Sequence, residues 1–261
     1  MRLLLTLALV LAACAATPAG PSPQRREADR LEPKRAYEQA IRLRDSNQPL
    51  QAEEYLLSAA ERGFAEAQFE LAVWYFTSRA GVEDSAKAAH WNEKAAAQGH
   101  ADALRLNWQL YLFGKGVPQD SGKAFEWLQK AAALGDAELL YHLGLAFFDG
   151  IGTPGNPTEA AQWFVKAAEK GHGGACYYLG VMHLEGIGVP KNDTNAISWF
   201  STGAGLKHHA CYLGLGDCYR DGRGTPRDLG KARGWYKLVL MTSDDGELLA
   251  AATQRLNDLG P

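Results

Sequence analysis

The stretch FFDGIGTPGNP, residues 147–157, offers the first candidate for chemistry. Gly150-x-Gly152 is the kind of glycine pair whose backbone amides cradle a phosphate. A phosphate loop also needs a strand before it and a lysine followed by serine or threonine at fixed spacing. Neither is present, so neither a nucleotide nor any other cofactor is expected. Seven histidines invite a metal or acid–base proposal. His100, His172 and His208 share one register position with Asp136, just ahead of an apolar segment, which fits a polar residue at a helix entry. His208-His209 lacks a third ligand, and His90, His142 and His183 are scattered, so no metal site is expected. Asp149, Glu185 and Asp221 recur at equal steps, but nothing around them would drive their pKa values apart as an acid–base pair requires. No nucleophile motif surrounds any serine, threonine or cysteine. No catalytic residue is assigned.

The elements that carry these residues explain the glycines. Gly150/Gly152 recurs as Gly114/Gly116, Gly186/Gly188 and Gly222/Gly224, each step being 36 residues. Tryptophan keeps the same step at positions 91, 127, 163, 199 and 235, as do Pro118, Pro154, Pro190 and Pro226. Asp84, Asp120, Asn156, Asn192 and Asp228 do so too. A period of this length marks a repeat array. Within each unit an apolar helix stops at glycine, which takes the left-handed conformation without steric cost. Proline prevents its resumption, and Asp or Asn caps a second helix. That helix carries Ala160, Trp163 and Ala167-Ala168 on one stripe, and the tryptophans are expected to fill the core between helices.

The unit Leu143-Gly144, Phe147, Gly150-x-Gly152, Ala160-x-x-Trp163, Ala167-Ala168 closely resembles the Sel1-like repeat, a relative of the tetratricopeptide repeat. The resemblance implies an all-α, right-handed solenoid of antiparallel helix pairs with a 36-residue period and a C-terminal capping helix. The expected repeat domain spans 34–245, with units at about 35–64, 65–100, 101–136, 137–172, 173–208 and 209–245, and a cap at 246–261. Three units depart from the pattern. SRAG replaces the glycine pair in the second, and Asn107-Trp108 replaces Leu-Gly in the third, holding its helices apart. STGAGLKHH blurs a helix end in the fifth, where Gly203 and Gly205 would make a hinge.

The first residues, MRLLLTLALVLAAC, combine Arg2, an apolar run and small residues before Cys14, the pattern of a signal peptide over 1–13. Leu11-Ala12-Ala13-Cys14 resembles the bacterial lipobox. That resemblance implies cleavage before Cys14, its lipidation, and a periplasmic, lipid-anchored chain at the outer membrane of the bacterial envelope. Residues 14–33 read as a flexible tether. Cys176, Cys211 and Cys218 allow at most one disulfide and read as unpaired buried thiols. With 46% apolar and 22% charged residues and a net charge of −3, the composition is globular and argues against nucleic-acid binding.

With no enzyme motif, function should reside on a surface. By analogy with tetratricopeptide repeats, partner-binding positions lie on the concave face of the first helices. They are Phe69, Val73, Phe76, Arg105, Gln109, Tyr141, His142, Leu145, Phe148, Tyr177, Tyr178, Val181, Asp217 and Arg220. The middle of this track is apolar and aromatic, as protein-binding hot spots are. The alternative is that several of these side chains pack between repeats. The resemblance implies a non-catalytic adaptor whose partner is another protein. Some small exported members resemble immunity proteins that neutralise phospholipase toxins from neighbouring bacteria. The alternatives are a scaffold for an envelope assembly or export machine, and an enzyme acting on the cell wall or on β-lactams. Nothing implies binding to nucleic acid, and the membrane is reached only through the lipid.

Overall fold

The computed structural model describes residues 20–77 and 84–260. The expected signal peptide, Cys14, the start of the tether and SRAG at 78–81 lie outside the described residues. Among the described residues fourteen helices are formed and no strand. They fall into two compact units, Met1–His100 and Ala101–Pro261.

The first unit holds α1 (Pro23–Ala28), α2 (Pro33–Asp45), α3 (Pro49–Glu61), α4 (Ala65–Phe76) and α5 (Ser85–Ala97). The second holds α6 (Ala101–Phe113), α7 (Ser121–Ala132), α8 (Ala137–Asp149), α9 (Pro157–Glu169), α10 (Gly173–Glu185), α11 (Asp193–Gly205), α12 (His209–Asp221), α13 (Leu229–Thr242) and α14 (Gly246–Asp258). Within the units, α2 pairs with α3, α4 with α5, α6 with α7, α8 with α9, α10 with α11 and α12 with α13. Inside each unit successive pairs pack on one another, and α14 closes the second unit against α13 and α12. The chain is an all-α solenoid of helix pairs.

The turns work as their residues dictate. Gly150, Gly186 and Gly222 end their helices at φ 73°, 74° and 71°. The second glycine answers a different demand. A Cβ on Gly152 would lie 2.0 Å from the Ser121 carbonyl oxygen, and one on Gly224 2.1 Å from that of Asp193. Each turn thus presses its backbone onto the start of the preceding unit's second helix, a contact only glycine permits. Asp84, Asp120, Asn156, Asn192 and Asp228 all cap the following helix, accepting from the amide three residues on.

Three expectations need correction. The tether does not extend to 33: Ser22 caps α1 and Ala28 is wholly buried. Asp29, just after α1, accepts a 2.6 Å hydrogen bond from Ser58, which pulls its carboxyl below the usual range. Six residues are too few to show a period in sequence; tertiary contacts hold α1 in place.

Nor do all the tryptophans fill the core. Trp91 and Trp127 are buried, but Trp163, Trp199 and Trp235 are half-exposed. The following residue occupies the centre, Phe164, Phe200 and Tyr236 being at most 1% exposed. Leu-Gly makes room for it: a Cβ on Gly144, Gly180 or Gly216 would lie 2.6, 2.3 or 2.2 Å from that ring. At the helix surface, Lys94, Lys130 and Lys166 sit 4.6, 4.0 and 3.7 Å over the tryptophan one turn back.

The hinge expected near Gly203 is a packed helix instead. α11 runs unbroken to Gly205, and a Cβ on Gly203 would lie 2.3 Å from Cys211 Sγ.

Candidate functional site

The first-helix residues of the second unit form an aromatic cluster. Tyr141 on α8 stacks on His172 at 4.1 Å and lies 5.9 Å from Tyr178 on α10. Tyr178 in turn stacks on Phe164 at 5.0 Å and meets Phe148 edge-on at 5.5 Å. Spacings of this size are those of favourable ring pairs. Tyr141, Phe148, Tyr177 and Tyr178 remain half-exposed, so they pack among themselves and still present a surface. Burial, with a smaller contribution from Tyr178, pushes the Tyr141 hydroxyl up to about 12, so it is a neutral hydrogen-bonding group at physiological pH.

Polar groups frame the cluster. Glu138 accepts from His142 at 3.2 Å and from His172 at 3.1 Å. The other ring nitrogen of His172 accepts from the Ala175 amide, so its proton sits on Nε2, facing Glu138. Asp136 and His172 cap their helices as the register predicts, while His208 holds the same place without a side-chain cap bond. Burial lowers the pKa of both His142 and His208. Beside Tyr177 and Tyr178 an open depression of about 440 Å³ continues to Lys207, His208 and the start of α14.

The remaining expected positions divide. Leu145 is half-buried, and Val181 is half-buried in a smaller cleft shared with Leu248. Arg105 is exposed and reaches Asp102 at 3.0 Å and Asp136 at 3.2 Å, and Gln109 is exposed beside it. Phe69, Val73 and Phe76 belong to the first unit; Phe69 stacks on His100 at 4.7 Å and Phe76 packs on that unit's core. Asp217 and Arg220 are engaged internally. Asp217 accepts from Tyr236 at 2.8 Å, from Arg255 at 2.8 Å and from Arg220 at 3.0 Å, tying α14 to α12. A partner would have to break that network to use Asp217. Cys14 lies outside the described residues.

Sequence reasoning missed two features. α14, with Asp244 and its N-cap Asp245 just ahead of it, brings Leu248 and two carboxylates to the rim of the tyrosine surface; the sequence marked a cap but not the face it would cover. A largely apolar cavity of about 160 Å³ also opens between α6, α7 and α8, beside Trp108. Its signal was the Asn107-Trp108 departure from Leu-Gly.

No group of three or more histidine, cysteine or acidic residues among the described residues is placed to hold a metal. Cys176, Cys211 and Cys218 are unpaired and buried, and burial pushes Cys211 up to about 12 and Cys218 to about 11. Such thiols are protonated at neutral pH and are poor nucleophiles. Asp149, Glu185 and Asp221 are exposed, with Glu185 and Asp221 in ion pairs to Arg223 and Arg220. No described helix is long and apolar enough to cross a membrane. The arrangement is suited to holding another protein's surface.

Comparison with known proteins agrees. A family model described as the Sel1 repeat matches residues 36–64, 65–100, 109–136, 137–172, 174–208 and 209–238. Its third match begins only after Asn107-Trp108. A Sel1 repeat protein from Oxalobacter formigenes is 30% identical over 80% of this chain and 86% of its own, with a TM-score of 0.70. A protective antigen of uropathogenic Escherichia coli strains is 29% identical over 90% of this chain, with a TM-score of 0.73. This chain spans 50% of that antigen's length. An immunity protein from Pseudomonas aeruginosa is 21% identical with a TM-score of 0.37, a likeness too slight to bear on function. No curated protein sequence matches significantly.

Proposed function

Because the chain belongs to the Sel1 repeat family of protein-interaction modules, we propose that its tyrosine surface holds one protein partner, a secreted toxin that the chain neutralises as an immunity protein. The observation that carries the binding reading is the half-exposed cluster of Tyr141, Phe148, Tyr177 and Tyr178 beside an open depression. Tyrosine supplies a large amphipathic contact at low entropic cost, and such residues concentrate binding energy. The buried, protonated thiols support a non-catalytic role. The toxin reading rests on the compact repeat array and the signal-peptide pattern. On this reading Cys14 is lipidated and holds the module at the periplasmic face of the outer membrane, where an incoming toxin would be met.

The test is capture from the producer and its competitors with the C-terminally tagged chain, read by mass spectrometry. One dominant stoichiometric partner, whose toxicity co-expression of the chain relieves, is expected. Several envelope proteins at equal recovery would make the chain a scaffold. Equal capture by a Tyr141→Ala/Tyr178→Ala variant would move the contact off this surface. Metabolic labelling with a fatty acid, lost in Cys14→Ser, checks the anchor.

A further inference from the structure

The cavity beside Trp108 is explained by register. Across the units beginning at 137 and 173, Phe148, Phe164 and Tyr178 form a closed aromatic trio with centroids 5.0 to 6.3 Å apart. One period earlier the same three positions are Leu112, Leu128 and His142. All three line the cavity of about 160 Å³. Two rings have become leucines and the third a smaller imidazole. Trp108, at the position of Gly144, stands 4.9 Å from His142 and leaves the space unfilled. An apolar cavity of about 150 Å³ is enough to hold one benzene ring.

Two further observations concern the occupant. Trp108 is 6% exposed, and its indole Nε1–H is buried without a hydrogen-bond partner. A buried donor left unsatisfied carries a desolvation penalty, which an incoming acceptor oxygen would recover. At the mouth Phe113 is 62% and Ile151 40% exposed, both large apolar side chains in contact with water. In a repeat array the first helices each unit presents are the ordinary binding surface, and His142 and Leu145 are shared by that surface and the cavity.

We propose that this cavity is a specificity pocket for a single aromatic side chain projecting from the partner protein, whose peptide carbonyl accepts from Trp108 while Phe113 and Ile151 close over the ring. This rests on the reading of the chain as a protein-binding module and adds what the partner must present.

The probe is N-acetyl-phenylalaninamide, a ring with its peptide carbonyls, titrated into the full 15N-labelled chain while the Trp108 indole signal is followed by NMR. A Trp108→Phe variant assigns that signal. A saturable shift is expected with the phenylalanine amide, with at least threefold weaker binding of the leucine amide and none of the alanine amide. Leu128→Phe and, separately, Leu112→Phe restore a ring of the next unit's trio; each should abolish the shift with Tm unchanged or raised. Absence of a shift, equal binding of the leucine amide, or a shift that survives in a folded filled variant would overturn the proposal.

The same variants separate it from the broader reading. Leu128→Phe should weaken any captured partner at least tenfold. A partner held equally well by that variant refutes the pocket and leaves the binding module standing. A probe that binds while no partner is captured supports the pocket and removes the proposed toxin.

Discussion

Gly180 and Phe200 allow a sharp test of what holds each helix pair together. A Cβ on Gly180 would lie 2.3, 2.6 and 2.7 Å from three atoms of the Phe200 ring, against the 3.4 Å or more of ordinary contact. The ring cannot swing away, because a Cβ on Gly214 of α12 would also lie 2.7 Å from it. Phe200 is 1% exposed, with no solvent to move into. Gly180→Ala therefore overpacks the centre of the pair, at a cost near the upper end of the usual range, about 3 kcal/mol. Alanine's better helix propensity offsets about 1 kcal/mol. The net loss is about 2 kcal/mol, or a fall in Tm of about 4–8 °C for a domain of this size. Circular dichroism at 222 nm during thermal and urea unfolding reads both. Phe200→Leu alone removes ring contacts and should also destabilise. In the double variant the new methyl occupies part of the vacated space, so the two losses should fall short of additivity by at least about 1 kcal/mol. A Gly180→Ala chain as stable as the parent, or strictly additive losses, would show that the glycine is not there to admit the ring.

Gly152→Ala should lower Tm several degrees more than Gly150→Ala. Both positions have positive φ, but a Cβ at 152 would meet the Ser121 carbonyl oxygen at 2.0 Å while one at 150 meets nothing closer than 3.2 Å. Burial depresses the pKa of His142 and His208 in the folded chain, so between that value and the unfolded value of about 6.5 the unfolded chain binds more protons. Stability is then complete above about pH 7 and lost as pH falls through 6.5; Tm should drop between pH 7 and 5.5, and less steeply in His142→Gln, which removes the group facing Glu138, His172 and Trp108. Arg255→Gln removes the 2.8 Å bond to Asp217. Amide exchange should accelerate across 246–258, with α8 and α9 unchanged; uniform protection would show that α14 is held by apolar contacts alone.

Much of the fold was legible because the repeat writes each instruction several times. The glycine, proline and Asp/Asn positions each answer a local rule, a left-handed residue, a blocked amide or a capping oxygen, so their spacing alone placed the turns. Tryptophan misled because a 3.6-residue period does not separate the centre of a helix face from its edge. Trp163 and Phe164 are neighbours in sequence, and only the facing Gly144 decides which of them points inward. Asp217 and Arg220 read as surface residues because their partners Arg255 and Tyr236 arrive from α14 and α13, 38 and 19 residues away from Asp217. α1 was missed because what stabilises it is α3, not its own six residues.

By itself the sequence determined the repeat, its period, the turns at its glycine pairs and the absence of a recognisable catalytic motif, the turns because they follow from backbone conformation and local hydrogen bonding. The tertiary structure alone decided which rings close on one another and which leave a gap. The trio of Phe148, Phe164 and Tyr178 and the cavity ringed by Leu112, Leu128 and His142 come from the same three register positions. Whether that space is filled depends on side-chain volumes meeting across three helices, and no single segment of the chain carries that information.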